Sequence, residues 1–311
     1  MTENTLELPL LGMGTAPLGG LYKTLSDEEA VEVIRFCLES RVNFFDTAPL
    51  YGAGVSETRL GLALEGEPRS SFTLATKVGY LLNAEQKIEV DLSRDGILRS
   101  LEGSFKRLKT DRLDIVHIHE PPLNVLNSED FKKVALAEVF PLLTDLRAQG
   151  TIKAIGAGLN QWELLDEFAD EADFDCFLLA GRYTLLHQGA IGLLDKCQQK
   201  GIKVFLGGVF NSGILATGAI PGAKFNYRDA PPEIMERVRQ IETVCARYQV
   251  PIDAVALQFP LAHPAVTSLV VGVESIPQVE GNLAALARNI PVELWSDLKA
   301  EGLIDRVVPT P

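Results

Sequence analysis

The chain has 311 residues, 46% hydrophobic and 23% charged, which is ample for a large core in an ordinary globular composition. Its formal net charge of −13 argues against nucleic acid or an anionic membrane surface as a partner. No apolar run has the length of a membrane span and Met1-Thr2-Glu3-Asn4 carries no basic export segment, so a cytoplasmic protein is expected.

In chain order, Leu8 to Gly14 reads as a first strand, closing on Gly12 and Gly14. Ser26-Asp27-Glu28-Glu29 opens a helix with a capping box, followed by apolar residues at helical spacing: Ala30, Val33, Ile34, Cys37 and Leu38. Val42 to Phe45 is a second strand, and a helix is expected from Ser56. Phe72 to Thr76 is a third strand, followed by a long loop over 78–92 and a helix from Ser93 to Leu108. Leu113 to Ile118 is a fourth, leading into a helix over 129–149 that stops at Gly150. Ile152 to Gly156, Cys176 to Leu179, Lys203 to Leu206 and Ser268 to Val271 complete eight strands, separated by helical stretches after Asn160 and over 189–200, 232–248, 252–262 and 276–287. Continuous apolar strands alternating with helices mean parallel strands covered on both faces. A single-domain (β/α)8 TIM barrel over residues 1–311 fits count and length. A doubly wound sheet is the alternative, but Gly12-Met13-Gly14 lacks the third glycine of a dinucleotide fingerprint.

Three successive strand ends carry chemistry. The second ends on Asp46 with Tyr51 five residues on, between Pro49 and Gly52; the third ends on Lys77; the fourth ends on His119. In a parallel barrel all strand C-termini open on one face, so these side chains can converge there. Singly, each has a plainer explanation: Asp46 a cap, Lys77 a solvated residue, Tyr51 rim packing, His119 a hydrogen-bonded loop histidine. Together they outline a proton-handling site. A tyrosine has a pKa of about 10, and a neighbouring ammonium favours its phenolate. Asp46 would hold Lys77 charged, and His119 would position an oxygen. Acid–base work at an oxygen that becomes a carbonyl needs a hydride partner, which implies a nicotinamide cofactor. The four cysteines (Cys37, Cys176, Cys197, Cys245) have no paired spacing and read as reduced thiols; with four scattered histidines, no metal site is expected.

The chain resembles the aldo-keto reductase superfamily, and within it the branch of L-fucose/D-threo-aldose 1-dehydrogenases, L-galactose dehydrogenase and pyridoxal 4-dehydrogenase. The resemblance is carried by Phe45-Asp46-Thr47-Ala48-Pro49-Leu50-Tyr51-Gly52, Ser56-Glu57, Arg59-Leu60-Gly61, Ala75-Thr76-Lys77, His117-Ile118-His119, the run from Gly208 to Leu215, and Val270-Val271-Gly272. It spans nearly the whole chain. It implies a barrel with NAD(P) lying across the strand C-termini and a catalytic tetrad of Asp46, Tyr51, Lys77 and His119, with Tyr51 as proton donor or acceptor. By the same resemblance Asn160 matches the asparagine that holds the carboxamide, Gly208, Phe210, Asn211 and Ser212 the loop around the pyrophosphate, and Asn282 a residue near the adenine. Gly14, Thr15 and Asp46 join these as cofactor contacts, with Gly272 and Gln278 at the adenosine end. Departures from the pattern are Ala180 in place of a glutamine, Gly207 where an aromatic often stacks on the nicotinamide, Glu120 where aspartate is common, and an abbreviated N-terminal hairpin.

The resemblance implies oxidation of a sugar hemiacetal to a lactone. An NADPH-dependent aldehyde reductase, a pyridoxal 4-dehydrogenase and a cofactor-sensing regulatory subunit are the alternatives. NAD is preferred over NADP because the run from Val270 to Glu280 has no basic residue for a 2′-phosphate, and Gly272 and Gln278 fall where Lys and Arg are expected. Tyr22, Tyr80 and Trp162 are candidate walls of a pocket for a small sugar or aldehyde, with rim packing as the plainer explanation.

Overall fold

The structure is a computed structural model that describes residues 7–311. Met1–Asn4, on which the expectation of no export signal rests, lies outside the described residues, as does the beginning of the stretch read as an abbreviated hairpin. Eight parallel strands close into a barrel in sequence order: β1 (Leu11–Gly14), β2 (Phe44–Asp46), β3 (Thr73–Val78), β4 (Leu113–His119), β5 (Ile152–Leu159), β6 (Cys176–Ala180), β7 (Lys203–Gly207) and β8 (Val266–Gly272). β1 closes the ring by pairing with both β2 and β8, with Gly14 opposite Asp46 on one side and Gly272 on the other. Among the described residues no helix is long and apolar enough to cross a membrane.

The strands bury both faces, as their continuous apolar sequences require. Outward residues meet the helix layer in one large cluster; inward residues, among them Phe44, Ala75, Ile115, Ala154, Cys176, Leu178, Phe205 and Val270, fill the barrel. The capping box at Ser26 forms as read: its hydroxyl accepts from the Glu29 amide at 3.1 Å and its own amide donates to the Glu29 carboxylate at 2.7 Å. All four cysteines are free and buried.

The differences from the sequence reading have local causes. β1 starts at Leu11, after Pro9, which has no N–H for the ladder. The expected loop over 78–92 contains an antiparallel hairpin, Tyr80–Leu82 with Ile88–Val90, too short for periodicity to show. The helix over 129–149 begins at Ser128, and Ala135–Val139 form a π-helical segment just before Pro141, whose missing N–H disturbs the ladder. A second hairpin, Lys224–Phe225 with Arg228–Asp229, and a C-terminal helix Val292–Ala300 had no counterpart in the sequence reading.

Candidate active site

Barrel shear brings the three strand ends into one constellation. Asp46 pairs across the sheet with Ala75, so Lys77 stands two residues farther along β3 and can lean back toward it. The Lys77 ammonium donates to Asp46 Oδ2 at 2.6 Å and to the Thr47 carbonyl at 2.9 Å. It lies 4.8 Å from the centre of the Tyr51 ring. The Tyr51 and His119 rings meet edge-on, 6.2 Å between centres. All four predicted residues are therefore together.

Tyr51 is held in place by its glycine neighbour. Gly52 has φ +63°, and a Cβ there would come within 2.4 Å of the Gly19 carbonyl oxygen. Only glycine allows the loop after β1 to close against the loop carrying Tyr51. A buried hydroxyl cluster ties the same loops: Ser56 Oγ lies 2.6 Å from Thr15 Oγ1 and 3.1 Å from Thr47 Oγ1, and the Thr15 amide donates to the Asp46 carbonyl at 2.9 Å. Behind Lys77, the buried Glu57 carboxylate accepts from Thr76 Oγ1 at 2.7 Å and pairs with Arg107 at 2.7 Å. Glu57 and Arg107 were not among the predicted site residues; Ser56-Glu57 had appeared only as a matching motif.

Burial sets the charge states. It pushes the Asp46 carboxyl up, and the Lys77 charge only partly offsets this. For Lys77 burial opposes the ammonium, but the Asp46 carboxylate and Tyr51 outweigh it, so its pKa is raised. The expectation that Lys77 lowers the phenol is corrected here: burial outweighs the ammonium, and the Tyr51 pKa is raised. His119 is held well below its usual value, first by burial and then by Lys77, so the imidazole is uncharged at neutral pH. His117, one layer deeper, is neutral for the same reasons and has neither ring nitrogen partnered. It fits only because residue 156 is glycine: a Cβ there would sit 2.2 Å from His117 Nδ1.

The glutamate departure has a structural role. The Glu120 carboxylate accepts from the Asn160 amide at 2.7 Å and from Gln161 Nε2, joining the ends of β4 and β5. Its carbonyl accepts from the Tyr80 hydroxyl at 3.0 Å, and the Tyr80 ring packs 5.0 Å from His119. Tyr80 is thus a buried wall behind His119. Tyr22, 59% exposed, stands at the mouth, while Trp162 is half-buried against the core at the start of its helix. Tyr227, 73% exposed in the turn of the hairpin after β7, had not been singled out; its backbone joins that hairpin to Ser212 of the glycine-rich loop. Its signal was there only as a tyrosine in a loop after a strand end.

The residues present fit a nicotinamide dinucleotide. Asp46 Oδ1 and His119 Nδ1 are buried without partners. Gly207 presents bare backbone beside Ala180 and Leu178, where an added Cβ would make only ordinary contacts at 3.7–3.8 Å. Gly208, Asn211, Ser212 and Gly213 all have positive φ, a backbone run of the type that turns amides toward an anion. Asn211 is fixed by Thr184 Oγ1 at 2.6 Å, and Ser212 Oγ accepts from the Tyr227 amide at 2.9 Å. Phe210 is half-buried against the core, and Thr15 is fully buried beneath Gly14. At the far end Gly272 and Gln278 are exposed, Gln278 Oε1 accepts from the Glu274 amide at 2.8 Å, and Asn282 lies beside Met13 and Val271.

Residues 10–301 match the model of the aldo/keto reductase family. The chain belongs to that family. Its curated relatives include pyridoxal 4-dehydrogenase of Microbacterium luteolum, 38% identical over 96% of this chain and 95% of the relative. D-threo-aldose 1-dehydrogenase of a Pseudomonas species is 37% identical over 98% and 96%. L-galactose dehydrogenase of Arabidopsis thaliana is 28% identical over 90% and 85%. Among solved structures, an aldo-keto reductase from Bacillus halodurans in its holo form superposes with a TM-score of 0.79 at 24% identity, covering 97% of this chain and 94% of that one. An aldo-keto reductase from Klebsiella pneumoniae in complex with NADP and acetate gives 0.70 at 22% identity, covering 98% and 93%. These likenesses establish the fold. Family membership makes the chain an oxidoreductase working with a nicotinamide cofactor.

Proposed function

We propose that this aldo-keto reductase oxidises a sugar hemiacetal, of the L-fucose, L-galactose or D-arabinose type, to a lactone, with NAD as hydride acceptor. The observation that carries the chemistry is the buried Lys77–Asp46 pair at 2.6 Å set under the Tyr51 ring, with His119 at its edge. A bound nicotinamide would supply the hydride acceptor for the carbon bearing the reacting hydroxyl. Tyr51 accepts the hydroxyl proton as its phenolate, and as the neutral phenol gives one back in the reverse direction. Lys77 stays an ammonium, because Asp46 outweighs its burial, and stabilises the phenolate during the transfer. His119, uncharged, presents an N–H or lone pair to the substrate oxygen without adding a competing cation. Asn160, anchored through its amide to Glu120, is suited to the carboxamide, and the run Gly208–Gly213 to the diphosphate.

The choice of sugar rests on the relatives, one of which is named for an aldose. The choice of NAD rests on the loop after β8, where Glu274 has a buried, unpartnered Oε2 that can accept from a ribose hydroxyl and would repel a 2′-phosphate. Pyridoxal is the second reading, favoured by the relative at 38% identity. A screen of aldoses and pyridoxal with NAD and NADP, followed at the NADH absorbance band, tests both. Turnover of pyridoxal alone, or of NADPH with aldehydes alone, would displace the aldose proposal.

A further inference from the structure

After β1 the chain turns through a short 3₁₀ helix, Ala16–Gly19, runs into solvent over residues 20–24 and returns as the helix Asp27–Glu39. Leu18 and Leu25, on either side of this excursion, are buried, whereas Leu21 and Tyr22 at its tip are 50% and 59% exposed. A short exposed segment of this kind opens locally unless its two ends are tied.

The tie is Arg59, in the helix Val55–Leu64 that follows the Tyr51 loop. Its Nη1 donates to the Leu18 carbonyl, its Nη2 to the Leu25 carbonyl at 2.5 Å, and its Nε to Asp27 Oδ1 at 2.8 Å. Asp27 is 60% exposed, so solvent screens that pair; the two carbonyl bonds are buried and charge-assisted, and they hold the loop. One planar guanidinium reaching a carbonyl at each end of a segment fixes their separation. Ser56, three residues earlier and so on the same helix face, donates to the Thr15 carbonyl at 2.8 Å. The loop in turn bears on the catalytic tyrosine. A Cβ on Gly19 would sit 2.7 Å from the Gly52 nitrogen and from the Tyr51 carbonyl carbon, so the loop backbone lies directly on that of Tyr51.

We propose that Arg59 is a positioning residue for the reaction, gripping both ends of the segment Leu18–Leu25 so that Gly19 stays pressed on Tyr51 and Tyr22 stays at the mouth of the site. Without the grip the loop lifts, and Tyr51 spends time in orientations where its phenol oxygen misses the reacting hydroxyl. The start of the loop is affected less, because Ser56 holds Thr15 and Pro17 packs on Gly272, where a Cβ would lie 2.9 Å from Pro17 Cγ. The effect therefore falls on turnover and substrate KM rather than on cofactor affinity. This role rests on Tyr51 as the acid–base group of the proposed function, but not on the choice of an aldose.

The test joins limited trypsin digestion of the folded full chain to steady-state kinetics on the best substrate of the screen above. Lys23 is exposed at the loop tip, so the rate of cutting after it, read by mass spectrometry, reports loop opening without any substrate. The proteins are wild type, Arg59→Met, Arg59→Lys and, as a control for general destabilisation, Arg147→Met, which breaks the pair with Asp175 at the opposite end of the barrel. Arg59→Met should speed the cut at Lys23 about tenfold or more. It should lower kcat about tenfold and raise substrate KM, with the NADH Kd within about twofold of wild type. Arg59→Lys, which keeps the charge but loses the fork, should fall between. Arg147→Met should melt earlier yet keep the cut and the kinetics within about twofold of wild type. Faster cutting with unchanged kcat and KM makes Arg59 a structural tie only and overturns the positioning role, as does a change in Arg59→Met no larger than in Arg147→Met. If Arg59→Met does not fold, Arg59→Lys decides, and wild-type cutting and kinetics there overturn the proposal. Retained turnover in Tyr51→Phe would overturn the acid–base reading on its own and leave the Lys23 cut unaffected, so the two failures are separable.

Discussion

Asp46→Asn keeps the shape of the side chain and removes the charge that faces Lys77. The two groups lie 2.6 Å apart with side chains 3% and 2% exposed, so solvent does little to screen the change. Removing one partner of such a pair costs about 3–5 kcal/mol, because the remaining charge is left buried. At about 2 °C per kcal/mol for a chain of this size, the variant should melt roughly 6–10 °C below wild type near pH 7. The two proteins should also differ in pH dependence. In wild type the Lys77 pKa is raised. Its stabilising contribution is fully present below the unfolded value of about 10.4 and is lost as pH rises through the folded value. In the variant burial acts unopposed by Asp46 and should hold Lys77 below its unfolded value. The unfolded chain then binds more protons, and stability rises with pH up to about 10. The melting gap should therefore be widest near neutrality and shrink toward about pH 10. Melting curves for both proteins across that range decide it. A gap under about 2 °C near pH 7, or one that stays constant with pH, refutes the view that Asp46 keeps Lys77 charged.

Tyr51→Phe should lower turnover ~10²–10⁴-fold while leaving the NADH Kd from fluorescence titration within about twofold. Because the Tyr51 pKa is raised, the phenolate needed for oxidation is scarce at neutral pH. Oxidation should therefore climb steadily from about pH 7 toward pH 10 without a plateau, and initial rates across that range check it. Gly156→Ala would place a Cβ 2.2 Å from His117 Nδ1 and 2.9 Å from Cys176 Sγ. Overpacking of this kind should cost about 1–3 kcal/mol in a denaturant melt, and His117→Ala in the same background should recover part of the loss. The ratio of kcat/KM for NAD over NADP should exceed one, and Glu274→Gln, which removes the charge opposing a 2′-phosphate, should lower that ratio.

The barrel was legible because each strand is a short apolar run bounded by turn residues, and because the chemistry sits at strand ends where side-chain direction is fixed by the pleat. Asp46, Lys77 and His119 could be placed on one face from register alone, and Tyr51 from the Pro49–Gly52 loop. The hairpins at Tyr80–Leu82 and Lys224–Phe225 escaped notice because two or three residues carry no measurable period. The direction of the Tyr51 shift was misread for a different reason. A charge neighbour is visible in a motif, but desolvation depends on how many atoms from distant segments crowd the phenol, which no local stretch encodes.

The two halves of the site pull on the reaction in opposite directions. A raised phenol pKa keeps Tyr51 protonated near neutrality, which suits proton donation to a carbonyl and hence reduction. On the proposed function, the acidic stretch after β8, with Glu274 and no cation in the run from Val270 to Glu280, opposes a 2′-phosphate and so selects NAD, the usual oxidant. These are compatible because a hydride-transfer site must stabilise one transition state from both sides, and the tetrad contributes equally to each. The Lys77–Asp46 pair then lowers the barrier without choosing a direction, while the adenosine end, remote from the reacting carbon, selects the cofactor pool that does. A lactone-forming reaction has a further bias of its own, since ring-opening of the product removes it from equilibrium. On the proposed function, the direction of turnover is set at the loop after β8 and by the fate of the product, not at Tyr51.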